Sequence, residues 1–271
     1  MPNDKAVKIS IYKSLDQEWL TPESPFAFRC HEGLACFNRC CQTATVMLSP
    51  YDILRLARKL ELTTGEFLRR YARREAEEQS NLPVYFLDLS RSPAGGCPFV
   101  GPQGCQVYDS RPAACRLFPL TMGSRLTEHG IEDFYFCRRL DYCQGFEADT
   151  VWTVASWRAD QGFDLYDEAR REWLNIILVQ GLKGPLLVKA AVFDLLATVM
   201  YDSDAFRNLL EVPEVRKTYE LDEAALASLE SDALALLRFQ CRYLADLLFT
   251  PGSLWETPGR LAAWLSRRQG G

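Results

Sequence analysis

Between Ser49 and Leu60 the apolar residues fall at Ile53, Leu54, Leu56, Ala57 and Leu60, which is one face of a helix. Ser49 then Pro50 supplies an N-cap and a proline at the first helical position, where its missing N–H is not needed. A second helix is predicted from a cap at Thr63 or Thr64 through about Glu78, with Phe67, Leu68 and Tyr71 inward. Pro83 to Leu89 predicts a strand. Gly95 to Gly104, rich in Gly and Pro, predicts a loop, and about Ser124 to Phe136 a short strand or hairpin. Beyond Thr150 the pattern becomes helical. Helices are predicted from Val151 to a stop at Gly162, from about Leu165 to Leu182, from Leu186 to Tyr201 and from Asp204 to Glu211. Asp222 to Phe249 predicts one long helix, with Asp222 and Glu223 at its positive end. Thr257-Pro258 starts a last one, through Leu265.

This pattern predicts an α+β chain. It predicts a small, irregular domain of short strands and helices over residues 1–150, which the cysteine cluster described below would make metal-stapled, and an all-α bundle over residues 151–271. A hydrophobic share of 48% and a charged share of 25% exclude general disorder. The net charge of -5 argues against a dedicated nucleic-acid binder. Arg55, Arg58, Arg69, Arg70, Arg73 and Arg74 form a basic stretch, but Glu75, Glu77 and Glu78 follow at once, which favours a self-paired, solvated face. The apolar stretch from Leu174 to Leu182 is too short to span a membrane. The first twenty residues lack the apolar core of a signal peptide, so a cytoplasmic location is expected.

Cysteine changes the picture most. The chain has ten, of which only Cys241 lies beyond Cys143. In a reducing compartment dense cysteines point to metal rather than to disulfides. The first group is Cys30-x5-Cys36-x3-Cys40-Cys41. The second is Cys97, Cys105 and Cys115, and the third is Cys137-x5-Cys143. Thiolates are soft ligands suited to zinc and to iron–sulfur clusters. Gly33, Gly96 and Gly104 let the loops turn, and Pro98, Pro102 and Pro112 restrict them. Neighbouring side chains such as Cys40 and Cys41 rarely chelate one ion together, which suggests two centres or one multinuclear centre. Arg29, Arg39, Arg111, Arg116, Arg138 and Arg139 crowd the cysteines and would offset thiolate charge. The spacing is that of neither a common zinc finger nor a ferredoxin. His31 reads as a loop residue, His129 as a turn residue, and Cys241, at helical spacing with Leu237 and Leu244, as a core thiol. Trp152, Trp157, Trp173, Phe193 and Tyr201 read as core.

From Phe28 to Gly145 the chain resembles the YkgJ-type cysteine-cluster family, the zinc- or iron-chelating CxxCxxCC domain. The resemblance is carried by the group ending in Cys40-Cys41, by Cys97-Pro98-Phe99, by Cys105-Gln106-Val107-Tyr108, by the block Arg111 to Pro119 and by Cys143-Gln144-Gly145. It implies the metal ligands Cys30, Cys36, Cys40, Cys41, Cys97, Cys105, Cys115 and Cys143, leaving Cys137 as an extra or alternate. The first spacing is wider than the family's and is similar to that of the flagellin lysine N-methylase branch, whose members carry an iron–sulfur cluster.

The leading expectation is a cytoplasmic iron–sulfur protein, favouring [4Fe-4S] over zinc, that acts in redox, sensing or cluster-dependent modification of a protein partner. A second expectation, from the resemblance alone, is an S-adenosylmethionine-dependent protein-lysine methylase-like enzyme. The chain has no Gly-x-Gly-x-x-Gly, P-loop or Gly-x-Ser-x-Gly motif to support a cofactor or nucleophile site. A third is a zinc-stabilised interaction module, for which the thiolates would be sealed from solvent with no pocket beside them.

Overall fold

The computed structural model describes residues 8–9, 19–92 and 95–250. Strand β1 is Lys8–Ile9 and β2 is Pro25–Ala27, followed by the first cysteine loop and β3, Met47–Leu48. Helix α1, Pro50–Lys59, begins with a capping box. The Ser49 hydroxyl accepts from the Asp52 amide at 3.2 Å, and the Asp52 carboxylate accepts from the Ser49 amide at 2.8 Å. Helix α2, Thr64–Tyr71, is capped the same way by Thr63 and Glu66.

The predicted continuation of this helix to Glu78 is corrected. The chain leaves it at Ala72 for strand β4, Ala72–Ala76, which pairs antiparallel with β5, Pro83–Leu87, from Ala72 opposite Leu87 to Ala76 opposite Pro83. β5 also pairs with β3, giving the order β3-β5-β4. The reason is long-range: β5 offers a row of backbone partners that the polar run from Arg73 to Glu75 takes as an exposed edge strand.

Inside the predicted loop lies a minimal hairpin of β6, Val100–Gly101, and β7, Gly104–Cys105. Helix α3, Ala113–Leu117, precedes the hairpin of β8, Leu120–Thr127, and β9, Gly130–Cys137, longer than its pattern predicts; β1 extends this sheet along β8. Val151 does not begin a helix as predicted. Residues Val151–Thr153 form β10, paired with β2, and α4, Val154–Asp160, starts only where Thr153 caps it. Helices α5, Phe163–Lys183, α6, Ala190–Tyr201, and α7, Ser203–Leu210, realise the helical half, joined by α8, Pro213–Thr218. The long helix predicted over Asp222 to Phe249 is two, α9, Glu223–Ser231, and α10, Ala233–Phe249. The break falls at Asp232, whose carboxylate accepts from the amides of Leu234 at 2.8 Å and Ala235 at 3.3 Å. The helix predicted from Thr257-Pro258 lies outside the described residues.

The larger core crosses residue 150 freely. It joins Leu48, Ile53, Leu56, Phe67 and Leu82 to Leu174, Ile177, Leu178, Tyr201, Phe206 and Leu236. A smaller core of Phe26, Phe28, Leu117, Leu120, Tyr135, Val154, Trp157 and Phe163 lies under β2 and β10. Among the described residues no helix is long and apolar enough to cross a membrane.

Candidate metal centre

The first cysteine loop is anchored by Phe28, which is fully buried. Its carbonyl accepts from the Trp152 indole at 2.9 Å, and its amide donates to Thr150 O at 2.9 Å. One residue on, Arg29 N donates to Gly145 O at 2.8 Å. Gly145 is required by this close approach, because a Cβ there would stand 2.6 Å from the Phe28 ring. The turn carrying Cys143 is thereby laid against the segment entering Cys30. Its next amide, Gln144 N, donates to Cys36 Sγ at 3.3 Å.

Cys40 and Cys41 sit on a short 3-10 turn, Arg39–Gln42, entered through Asn38 in the left-handed region at φ 63. Cys97 N donates to Cys41 O at 2.9 Å. The loop reaches that position through Gly96, at φ +78, where a Cβ would meet Gln42 Cα at 2.8 Å. Cys105 is opposite Val100 in the small hairpin. Cys115 rides on α3, whose Ala113 amide donates to Asp52 Oδ1 at 2.8 Å, so the start of α1 positions it.

Cys30 is exposed as a residue, yet its thiol is crowded. Burial first, and then the charges of Cys40, Cys143 and Cys36, push it up to about 11. A hydrogen bond from the Cys41 thiol draws Cys40 down to about 7 against the opposing effect of burial, with help from Arg138. Cys41, as donor, is held well above the ordinary thiol range, with Cys115 and Cys97 adding to the rise. Burial is also the chief reason that Cys115, Cys97, Cys105 and Cys143 are raised. Thiols that raise one another in this way gain from a cation that lets them ionise together.

Cys137 closes β9 against the smaller core, with Arg139 and Cys143 as its charged neighbours. His31 turns back on its own loop, Nδ1 accepting from Gly33 N at 3.2 Å. His129 is at the tip of the β8–β9 hairpin. Cys241, on α10, packs against the larger core, and burial pushes its thiol up to about 12. Among the described residues no three or more His, Cys, Asp or Glu side chains are drawn tightly enough together to hold a metal ion as they stand. The thiols are within electrostatic reach of one another, and loading would have to draw them in. The donor chemistry itself suits zinc or iron.

Of the arginines predicted around the site, Arg39, Arg111, Arg116 and Arg139 stack on aromatic rings. Arg39 lies over Tyr142 at 4.4 Å, Arg139 over Phe146 at 4.6 Å and Arg111 over Tyr108 at 3.8 Å. Arg111 also faces Cys115 and Cys105. Arg116, over Tyr166 at 4.3 Å, also clamps the interior. Its guanidinium donates to the carbonyls of Arg111, Asp109 and Gln161 and to the Tyr166 hydroxyl. Beside the thiols opens a cavity of about 520 Å³, lined by Cys30, Cys40, Cys41, Cys97, Cys105 and Cys115 and running inward to Trp157, Trp173, Asp52 and Arg170. The cavity and the buried Asp52 are absent from the sequence reading. The only signal for Asp52 was its place three residues after the Ser49 cap.

Residues 29–144 match the model of the CxxCxxCC family, described as "Putative zinc- or iron-chelating domain". The matched stretch is a little under half of the chain. No curated protein and no solved structure matches the chain.

Proposed function

We propose that the protein holds iron, as an iron–sulfur cluster, on the thiolates of Cys30, Cys36, Cys40, Cys41, Cys97, Cys105, Cys115 and Cys143, and uses it in a redox or sensing role toward a partner molecule. The observation that carries this reading is the cavity. Six of these cysteines, drawn from separate stretches of the chain, line one space of about 520 Å³ that continues past them into the protein. A metal serving only as a staple needs no such space, so the cavity speaks against the zinc-stabilised interaction module. A bound cluster would supply one-electron chemistry there. The chain supplies positive charge around it through Arg138 beside Cys40 and Arg111 beside Cys105 and Cys115. The all-thiol donor set suits an iron–sulfur cluster. Anaerobic purification followed by iron, sulfide and zinc analysis with visible absorption tests it. A brown protein with matched iron and sulfide is expected; a colourless protein with stoichiometric zinc and no sulfide overturns the iron reading.

A further inference from the structure

Resting on the chelating function just proposed, we infer that the eight thiols divide four and four between Cys40 and Cys41 into two centres that load and empty separately. The outer centre is Cys30, Cys36, Cys40 and Cys143. The inner centre is Cys41, Cys97, Cys105 and Cys115.

Three independent features of the backbone and packing carry the division. The first is the set of main-chain bonds that bring the loops together. Arg29 N to Gly145 O and Gln144 N to Cys36 Sγ tie the Cys30 and Cys36 stretch to the Cys143 turn. Cys97 N to Cys41 O ties the second cysteine group to the far side of the Cys40-Cys41 turn. The second feature is the register of the small hairpin, which sets Cys105 opposite Val100, next to the Cys97 loop. The third is packing. Cys97, Cys105 and Cys115 lean on the larger core, whereas Cys143 leans on the smaller one.

The two sets are unequally sheltered. Cys30 is exposed. Cys115 lies beneath the α1 start, held there through Asp52. The outer centre should therefore exchange first. Cys137, outside both sets, should be dispensable.

The experiment uses the full chain, prepared anaerobically and also loaded with zinc alone, with metal per chain measured by elemental analysis. Cys30→Ser is the decisive variant, because the residue is exposed, and circular dichroism checks that the variant is folded. It is expected to keep half of the wild-type metal, and the retained half should resist a competing chelator at least tenfold longer than the half that Cys30→Ser removes. Cys97→Ser should lose the complementary half, and Cys137→Ser none. X-ray absorption on zinc-loaded wild type should give four sulfurs per metal. Complete loss of metal from folded Cys30→Ser, or a wild type with a single multinuclear centre, overturns the division while leaving chelation standing. A wild type that takes up neither iron nor zinc overturns both.

Discussion

Asp52 shows how one side chain can serve the fold and the site at once. Its carboxylate accepts from Ser49 N at 2.8 Å and Ser49 Oγ at 2.7 Å, closing the first turn of α1, and from Ala113 N at 2.8 Å, fixing the turn that presents Cys115. It is only 1% exposed. Asp52→Ala would leave buried donors without acceptors, each at a cost of about 1–3 kcal/mol, so a loss of at least about 2 kcal/mol is expected in urea unfolding. Cys115 would lose its support, and metal content should fall with stability. A variant as stable and as metal-rich as wild type would show that α3 is held by other means. Cys241→Ser is the contrasting case. The thiol packs among larger-core residues of the helical half, so the substitution should cost stability and leave metal per chain unchanged. The cysteines were legible from their crowding into one stretch. Asp52 was not, because its acceptor role toward Ala113 spans sixty-one residues and leaves no local pattern.

At the level of elements, helices with strong caps were legible and pairings were not. The Ser49 cap with Pro50 announced α1, and a threonine cap at Thr63 announced α2. Strand β4 was hidden, since its partner β5 lies beyond a turn and its own residues are polar and exposed. β10 was hidden because β2, its partner, lies more than a hundred residues earlier. The ionic cluster joining α4, α5 and β9 is another long-range feature. Asp167, nearly buried, meets Arg170 at 2.6 Å, Arg171 at 2.8 Å and Arg158 at 2.9 Å, while Asp133 on β9 meets Arg171 at 2.5 Å. Burial alone would raise the Asp167 carboxyl, but the three arginines outweigh it and hold it below the usual range. A carboxyl lowered in the fold adds stability above its unfolded pKa of about 3.9, and that contribution is lost as pH falls through the lower folded value. Acid unfolding between about pH 5 and pH 2 should therefore be steeper in wild type than in Asp167→Asn. At pH 7 the variant should be weaker by about 3 kcal/mol, the cost of breaking a buried pair. Equal acid slopes would mean that this cluster does not drive the pH dependence.

Over the whole molecule, the thiol-bearing stretch and the helices share one interior. The Trp173 indole donates to the Tyr201 hydroxyl at 2.9 Å, which in turn donates to Pro83 O at 3.2 Å on β5. Thr64 at the start of α2 donates from its amide to Asp204 at 2.7 Å and from its hydroxyl to Asp202 at 2.8 Å, and Asp204 N donates back to Thr64 Oγ1 at 3.1 Å. The two helix starts thus cap each other across the chain. Both hydrophobic cores draw residues from either side of residue 150. Binding energy from a metal that binds only the folded chain then stabilises the helices as well as the loops. Chelation should lower the unfolding midpoint of the entire molecule. Far-ultraviolet circular dichroism, dominated by the helices, and metal–thiolate absorption should lose signal in one transition at the same denaturant concentration. Thr64→Val, which removes the hydroxyl that joins α2 to α7 without touching a thiol, should shift both curves together. Separate midpoints, with the helices outlasting the metal site and Thr64→Val moving only one of them, would show instead that the cysteine stretch is an independently folding unit.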